Sequence, residues 1–201
     1  RQVDRAVVDT DRFVQQLMGV QEELGLAEQT NLVVTSDHGQ MEVQRIMNLN
    51  VMLADYGFLD VRKDGYVTDW RAYCLSNGLS AVVYLKDPLD EKLYQRVFQL
   101  LRWMREEGIY GISEVLTAEE ADEKYRLNGP FSFVIESDDY TSFGENTSGP
   151  LVESFGDRDY RYGRASHGYY PQKGPQPVFM AKGPDFAESA VCLLYTSPSP
   201  R

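Results

Sequence analysis

Apolar residues recur every three to four positions at Val3, Val7, Val14 and Leu17, with Leu24 just before Gly25, and this spacing predicts a helix at the start of the chain. Asn31-Leu-Val-Val-Thr-Ser36 then has the continuous apolar run of a short buried strand, ending in the polar cluster Asp37-His38-Gly39-Gln40. Residues 46–58 read as a further amphipathic helix that stops near Tyr56-Gly57, and Lys63 to Gly65 reads as a turn between extended stretches. Leu79 to Leu85 has strand composition and meets a stop at Lys86-Asp87-Pro88. From Leu89 to Glu107 the apolar positions Leu93, Val97, Leu100, Leu101 and Met104 predict a packed helix, terminated by Gly108. Glu119 to Tyr125 is a short acidic helix and Phe131 to Glu136 a strand. Strand and helix alternate, which is the order of an α/β fold.

Between Asp138 and Gly174 the regular pattern is lost, and Gly, Asn, Asp, Tyr and Arg crowd together with only brief apolar runs. A long irregular segment in a compact domain is usually functional or disordered. Here the aromatics Tyr140, Phe143, Phe155, Tyr160, Tyr162, Tyr169 and Tyr170 give it material to pack, which favours function. Pro177 to Ala181 is the last core-like strand, followed by Lys182-Gly-Pro184. The final stretch from Cys192 to Arg201 is turn-rich, has no periodicity, and resembles translated adapter read-through. Residues 191–201 are therefore set aside as a non-native tail, the alternative being a native flexible one, and residues 1–190 are expected to form part of a single domain.

Composition narrows the function. The 201 residues are 42% hydrophobic and 25% charged, as in a globular protein. With 20 Lys and Arg against 31 Asp and Glu, the formal charge of −11 argues against a general grip on nucleic-acid polymers or anionic membranes. Small anionic substrates remain compatible, because a local metal cluster reverses the field where it matters. Cys74 and Cys192 form no CxxC pair and suggest neither a disulfide scaffold nor a thiolate zinc site. No apolar run is long enough to span a membrane, and a cytoplasmic or an extracellular location is equally compatible.

The chain has two histidines, and both occur in the same local setting, Ser36-Asp37-His38-Gly39 and Ala165-Ser166-His167-Gly168. Alone, a His-Gly pair more often holds a structural or merely exposed histidine. Two of them, each in a polar loop after apolar or aromatic material, can converge at one end of a sheet. Asp37 beside His38 offers a hard carboxylate and a borderline imidazole, a combination that suits zinc; its other reading is an N-cap for a following helix. Lys182 and Arg164 are candidates to touch phosphate but are more often solvated or structural charges, and Tyr140 and Phe143 can stack an aryl group or form the loop's own small core. Asp157 to Tyr162 can line the pocket or lock the loop that carries His167, and the structural role is favoured.

Val33-Val-Thr-Ser-Asp-His-Gly39, Ser166-His-Gly-Tyr-Tyr-Pro171 and Pro177-Val-Phe-Met-Ala-Lys-Gly-Pro184 together resemble the C-terminal half of the type I phosphodiesterase and nucleotide pyrophosphatase group of the alkaline phosphatase superfamily. Three motifs in the right order carry the resemblance, over everything but the tail. It implies an alkaline-phosphatase-like mixed sheet flanked by helices, incomplete at its N-terminus. It further implies two divalent metal ions, zinc favoured, with Asp37 and His38 on one and His167 on the other. The Asp-x-x-Gly-His motif, another metal-binding Asp and the Thr or Ser nucleophile are then expected upstream of Arg1, so no catalytic nucleophile is assigned within the chain and the chain alone is expected to be inactive. The implied activity of the full-length protein is metal-dependent hydrolysis of phosphodiester or pyrophosphate bonds in a small phosphate-ester substrate, nucleotides included. A phosphomonoesterase, or a non-catalytic module whose histidines are structural, are the alternatives.

Overall fold

A computed structural model describes residues 2–156 and 163–187, so the 157–162 stretch and the 191–201 tail lie outside the described residues. The described chain falls into two compact units, one built from its two ends and one from residues 38–176.

In the first unit, α1 (Gln2–Glu23) forms where the apolar period predicts it, and β1 (Leu32–Thr35) pairs antiparallel with the last strand among the described residues, Phe179–Lys182. Both strands were expected to be core strands. Neither is: Leu32–Thr35 alternates between half-buried and exposed, Phe179–Lys182 is exposed at all but Ala181, and α1 contributes no buried residue. The reason is the size of the sheet. A ladder of two strands, with no third strand paired to it among the described residues, leaves both edges and much of both faces open.

The second unit holds the core. After β2 (Met41–Glu42), the chain enters β3 (Arg45–Met47) and then α2 (Leu49–Asp55). The helix expected over residues 46–58 is therefore shorter than its pattern. Arg45, Ile46 and Met47 are held extended because they lie between two partners, β10 (Thr141–Phe143) in parallel and β11 (Val152–Ser154) antiparallel, so tertiary pairing overrides the local period. The expected turn at Lys63–Gly65 joins β4 (Leu59–Val61) to β5 (Val67–Trp70).

β6 (Ala72–Ser76), β7 (Ser80–Leu85), β8 (Ile112–Thr117) and β9 (Phe133–Ser137) form an antiparallel sheet in the order β6-β7-β9-β8. On one face lies α3 (Glu91–Glu107), which buries Leu93, Val97, Leu100, Leu101 and Met104, the five positions its period singles out. Its start is set by Asp90, whose side chain accepts the Leu93 N–H at 3.0 Å, and its end by Gly108 in the left-handed region. These side chains pack with Ala81, Val83, Phe133 and Ile135 of the sheet. On the other face, α4 (Ala118–Tyr125) starts at a capping box between Thr117 and Glu120 and packs on Leu116 and Val134. Within the expected loop of residues 138–174 the structure places β10, β11 and the two-residue β12 (Ala165–Ser166); the last strand among the described residues is β13, Phe179–Lys182. None of the described helices is long and apolar enough to cross a membrane.

Candidate functional site

The exit from β1 is anchored inside the first unit. Val178 N–H donates to Ser36 Oγ at 2.9 Å, and Ser36 N–H donates to the Val178 carbonyl at 3.1 Å. Asp37 closes that unit and immediately precedes His38, which opens the second. His38 Nδ1 lies 2.8 Å from the Gly39 carbonyl oxygen. A carbonyl only accepts, so this contact is a hydrogen bond in the tautomer that carries its proton on Nδ1.

His167 arrives from the far end of the same unit directly after β12, which pairs antiparallel with β2 in the register Ser166 to Met41 and Ala165 to Glu42. Val43 N–H extends this pairing by donating to the Arg164 carbonyl at 2.8 Å. The result is that the two imidazoles stack, with ring centroids 4.1 Å apart and planes inclined by 26°.

The backbone of His167 is seated on the loop between β6 and β7. Leu79 N–H donates to the His167 carbonyl at 2.8 Å. Gly168 has φ of +81°, and a Cβ there would overlap the Asn77 carbonyl oxygen; a Cβ on Gly78 would in turn overlap the His167 carbonyl. The glycine after His167 thus serves a close approach of two backbones that any side chain would prevent. Gly39 is equally confined, since a Cβ would overlap the carbonyl of Pro175, the group to which the Tyr169 hydroxyl donates at 2.5 Å. Both His-Gly pairs therefore belong to one packed cluster.

A second anchor lies further along the same loop. Lys173 Nζ sits 3.1 Å from Glu136 Oε1 and donates to the Ser137 and Asp138 carbonyls at 2.6 and 3.1 Å. Tyr170 N–H donates to the same Glu136 oxygen at 3.3 Å, and the Tyr170 ring stacks on Tyr125 with centroids 4.1 Å apart. Glu136, on β9, is 2% exposed. Burial pushes its carboxyl up to about 7, although Lys173 and the Tyr170 N–H pull the other way. Burial likewise pushes the Tyr170 hydroxyl well above the ordinary phenol range.

Among the described residues no three His, Cys, Asp or Glu side chains gather into a group that could hold a metal. What the second unit brings together is the histidine pair. Phe143 is buried in the core at 3% exposure, so of the two aromatics considered for stacking only Tyr140, 52% exposed, remains available. Arg164 donates to the Gly156 carbonyl and lies over the Phe155 ring at 5.3 Å, a structural role. An open groove of about 490 Å³, lined by Val67, Trp70, Tyr73, Leu75 and Tyr84, offers stacking area but no carboxylate, imidazole or thiol. Sequence reasoning missed the seat at Asn77–Leu79 and the Glu136–Lys173 anchor. Asn77-Gly78 between two apolar runs does signal a hairpin turn, but not what rests on it.

The family model of type I phosphodiesterase / nucleotide pyrophosphatase matches residues 1–169. Among solved structures, human ectonucleotide pyrophosphatase / phosphodiesterase 5 is similar with a TM-score of 0.60 at 20% identity, over 92% of this chain and 42% of that one. The murine protein of the same name gives 0.54 at 21% identity, over 88% of this chain and 40% of that one. Its inactive form in complex with AMP gives 0.55 at 21% identity, with the same 88% and 40% coverage. The chain thus spans about two fifths of these neighbours, and at such identity the likeness is one of fold: a mixed α/β, alkaline-phosphatase-like arrangement. No curated protein matches the chain. Its motifs, its paired histidines and the match over most of its length place the chain in the type I phosphodiesterase / nucleotide pyrophosphatase family.

Proposed function

We propose that the full-length protein hydrolyses phosphodiester or pyrophosphate bonds of small substrates, nucleotides among them, with two divalent metal ions, preferably zinc. Residues 1–190 would be the C-terminal portion of one catalytic domain, with the nucleophile and the remaining metal ligands upstream of Arg1. The observation that carries this reading is the stacked pair His38 and His167. Imidazole lone pairs lie in the ring plane, so two rings stacked at 4.1 Å cannot both point at one tetrahedral ion. Each ring would then serve a separate ion of a two-metal site.

In this reading Asp37 and His38 would hold one ion and His167 the other, and bound metal would supply Lewis-acid stabilisation of phosphoryl oxygens and an activated hydroxyl. The chain's own residues orient. The Gly39 carbonyl would keep the His38 proton on Nδ1, and the Asn77–Leu79 loop fixes where His167 stands. A neighbour in complex with AMP supports a small nucleotide as ligand class.

Release of p-nitrophenol from a phosphodiester and from a phosphomonoester, measured on the full-length protein with zinc removed and restored, tests the reading. Zinc-dependent turnover with preference for the diester is expected. Monoester preference would instead make it a phosphatase, and absence of turnover on both would overturn the hydrolase reading in favour of a binding module.

A further inference from the structure

We propose that Glu136 and Lys173 are positioning residues that hold His167 in the site. The functional meaning of this rests on His167 being a metal ligand, but the geometry stands apart from it. The loop that carries His167 is fastened at both of its ends to the terminal residues of β9. At the His167 end the link runs through Leu79, whose N–H donates to the His167 carbonyl at 2.8 Å and whose carbonyl accepts the Ser137 N–H at 2.8 Å. At the other end Lys173 donates to the Ser137 and Asp138 carbonyls and forms an ion pair with Glu136 at 3.1 Å, with the exposed Asp139 carboxylate further off at 3.7 Å. Midway, the Tyr170 N–H donates to the same carboxylate oxygen that faces Lys173.

The energetics make this arrangement a poor device for stability and a good one for registry. Every residue of β9 is buried, and an apolar side chain would suit the place of Glu136. A buried ion pair is commonly no more stabilising than well-packed apolar residues of similar size, because both ions must be desolvated. Removing one partner is costly, since the other is left as an uncompensated charge. Here one partner belongs to the rigid sheet and the other to the His167 loop, so the loop cannot leave without exposing that cost. Glu136 Oε2 and the Tyr170 hydroxyl are both buried without a hydrogen-bond partner, a further sign that the site is not arranged for stability alone. Glu114 stands opposite Glu136 in the β8–β9 register and has its own partner in Lys124, at 2.5 Å, so Lys173 is the cation that Glu136 uses.

The two histidines of this chain make the test direct, because each gives its own imidazole resonances in ¹H–¹⁵N spectra, assigned with His38→Ala and His167→Ala. In Lys173→Met the His167 resonances are expected to shift and broaden. In the double variant Glu136→Leu/Lys173→Met the unfolding midpoint is expected to recover toward that of the parent while His167 stays displaced. A merely structural pair would not produce that split. Glu136→Gln, which keeps an acceptor for the Tyr170 N–H, is expected to give a smaller displacement and serves if Lys173→Met fails to fold. Val97→Ala in α3 should lower stability without moving His167. In the full-length protein Lys173→Met should weaken zinc binding about tenfold or more. His167 resonances that coincide with the parent's in Lys173→Met, the double variant and Glu136→Gln would overturn the proposal, as would an equal displacement in Val97→Ala. If His167 moves as expected but the full-length parent binds no zinc, the positioning role stands and the metal reading fails.

Discussion

Replacing Gly168 by alanine, against the same change at Gly108, isolates the contact that seats His167. Both glycines lie in the left-handed region, at φ +81° and +70°, so both variants carry the backbone penalty of about 1–2 kcal/mol for a residue with a Cβ. At Gly108 nothing lies within 4 Å of the added methyl, and that penalty is the whole expected cost. At Gly168 the methyl overlaps the Asn77 carbonyl oxygen, with the carbonyl carbon at 2.8 Å and the Asn77 amide nitrogen at 3.2 Å. Those atoms are mostly backbone and cannot swing aside. Relief requires the loop to lift, which strains the packing by about 1–3 kcal/mol and breaks the Leu79 N–H bond to His167, worth about 1 kcal/mol. Gly168→Ala should therefore lose about 3–6 kcal/mol in urea denaturation, roughly 2–4 more than Gly108→Ala. It should also displace the His167 imidazole resonances, which Gly108→Ala should leave in place. Equal losses for the two variants would refute the seat.

Two further outcomes follow from buried polar groups. Asn50 is fully buried and joins α2 to β6 by donating to the Cys74 carbonyl at 2.9 Å and accepting the Cys74 N–H at 2.8 Å. Asn50→Ala strands both backbone groups and should cost about 2–4 kcal/mol by urea denaturation; a loss below about 1 kcal/mol would mean that water replaces the amide. Glu136, facing Lys173, Glu114 and Tyr170, has its carboxyl raised by burial from 4.5 to about 7. Between those values the native state binds the extra proton, so this group's contribution to stability falls as pH rises through the window. Relative to the parent, Glu136→Gln should gain up to roughly 3 kcal/mol between pH 4 and pH 8, and a flat difference would contradict a raised carboxyl.

The parts of the fold that could be read along the chain are those whose neighbours in space are also neighbours in sequence. α3 carries its five apolar positions and its Gly108 stop within one segment, and the structure agrees at each. β3 could not be read, because Arg45 to Met47 are extended only through pairing with β10 and β11, about a hundred residues away. Apolarity also overstated burial at β1 and β13, where the residues are right for a core strand and the two-stranded ladder gives them no core. The same divide runs through the site. The two His-Gly pairs stand out in sequence, and the structure stacks their rings. Glu136 is one acid at the end of an apolar run and Lys173 one lysine in a loop; only the β9 terminus makes them partners.

Metal content of the purified full-length protein, measured beside His38→Ala and His167→Ala, tests the central claim most directly. Two zinc ions per chain are expected in the parent, with one ion lost or severely weakened in each variant. Metal content that is unchanged by both substitutions would contradict the assignment of the stacked histidines to two ions.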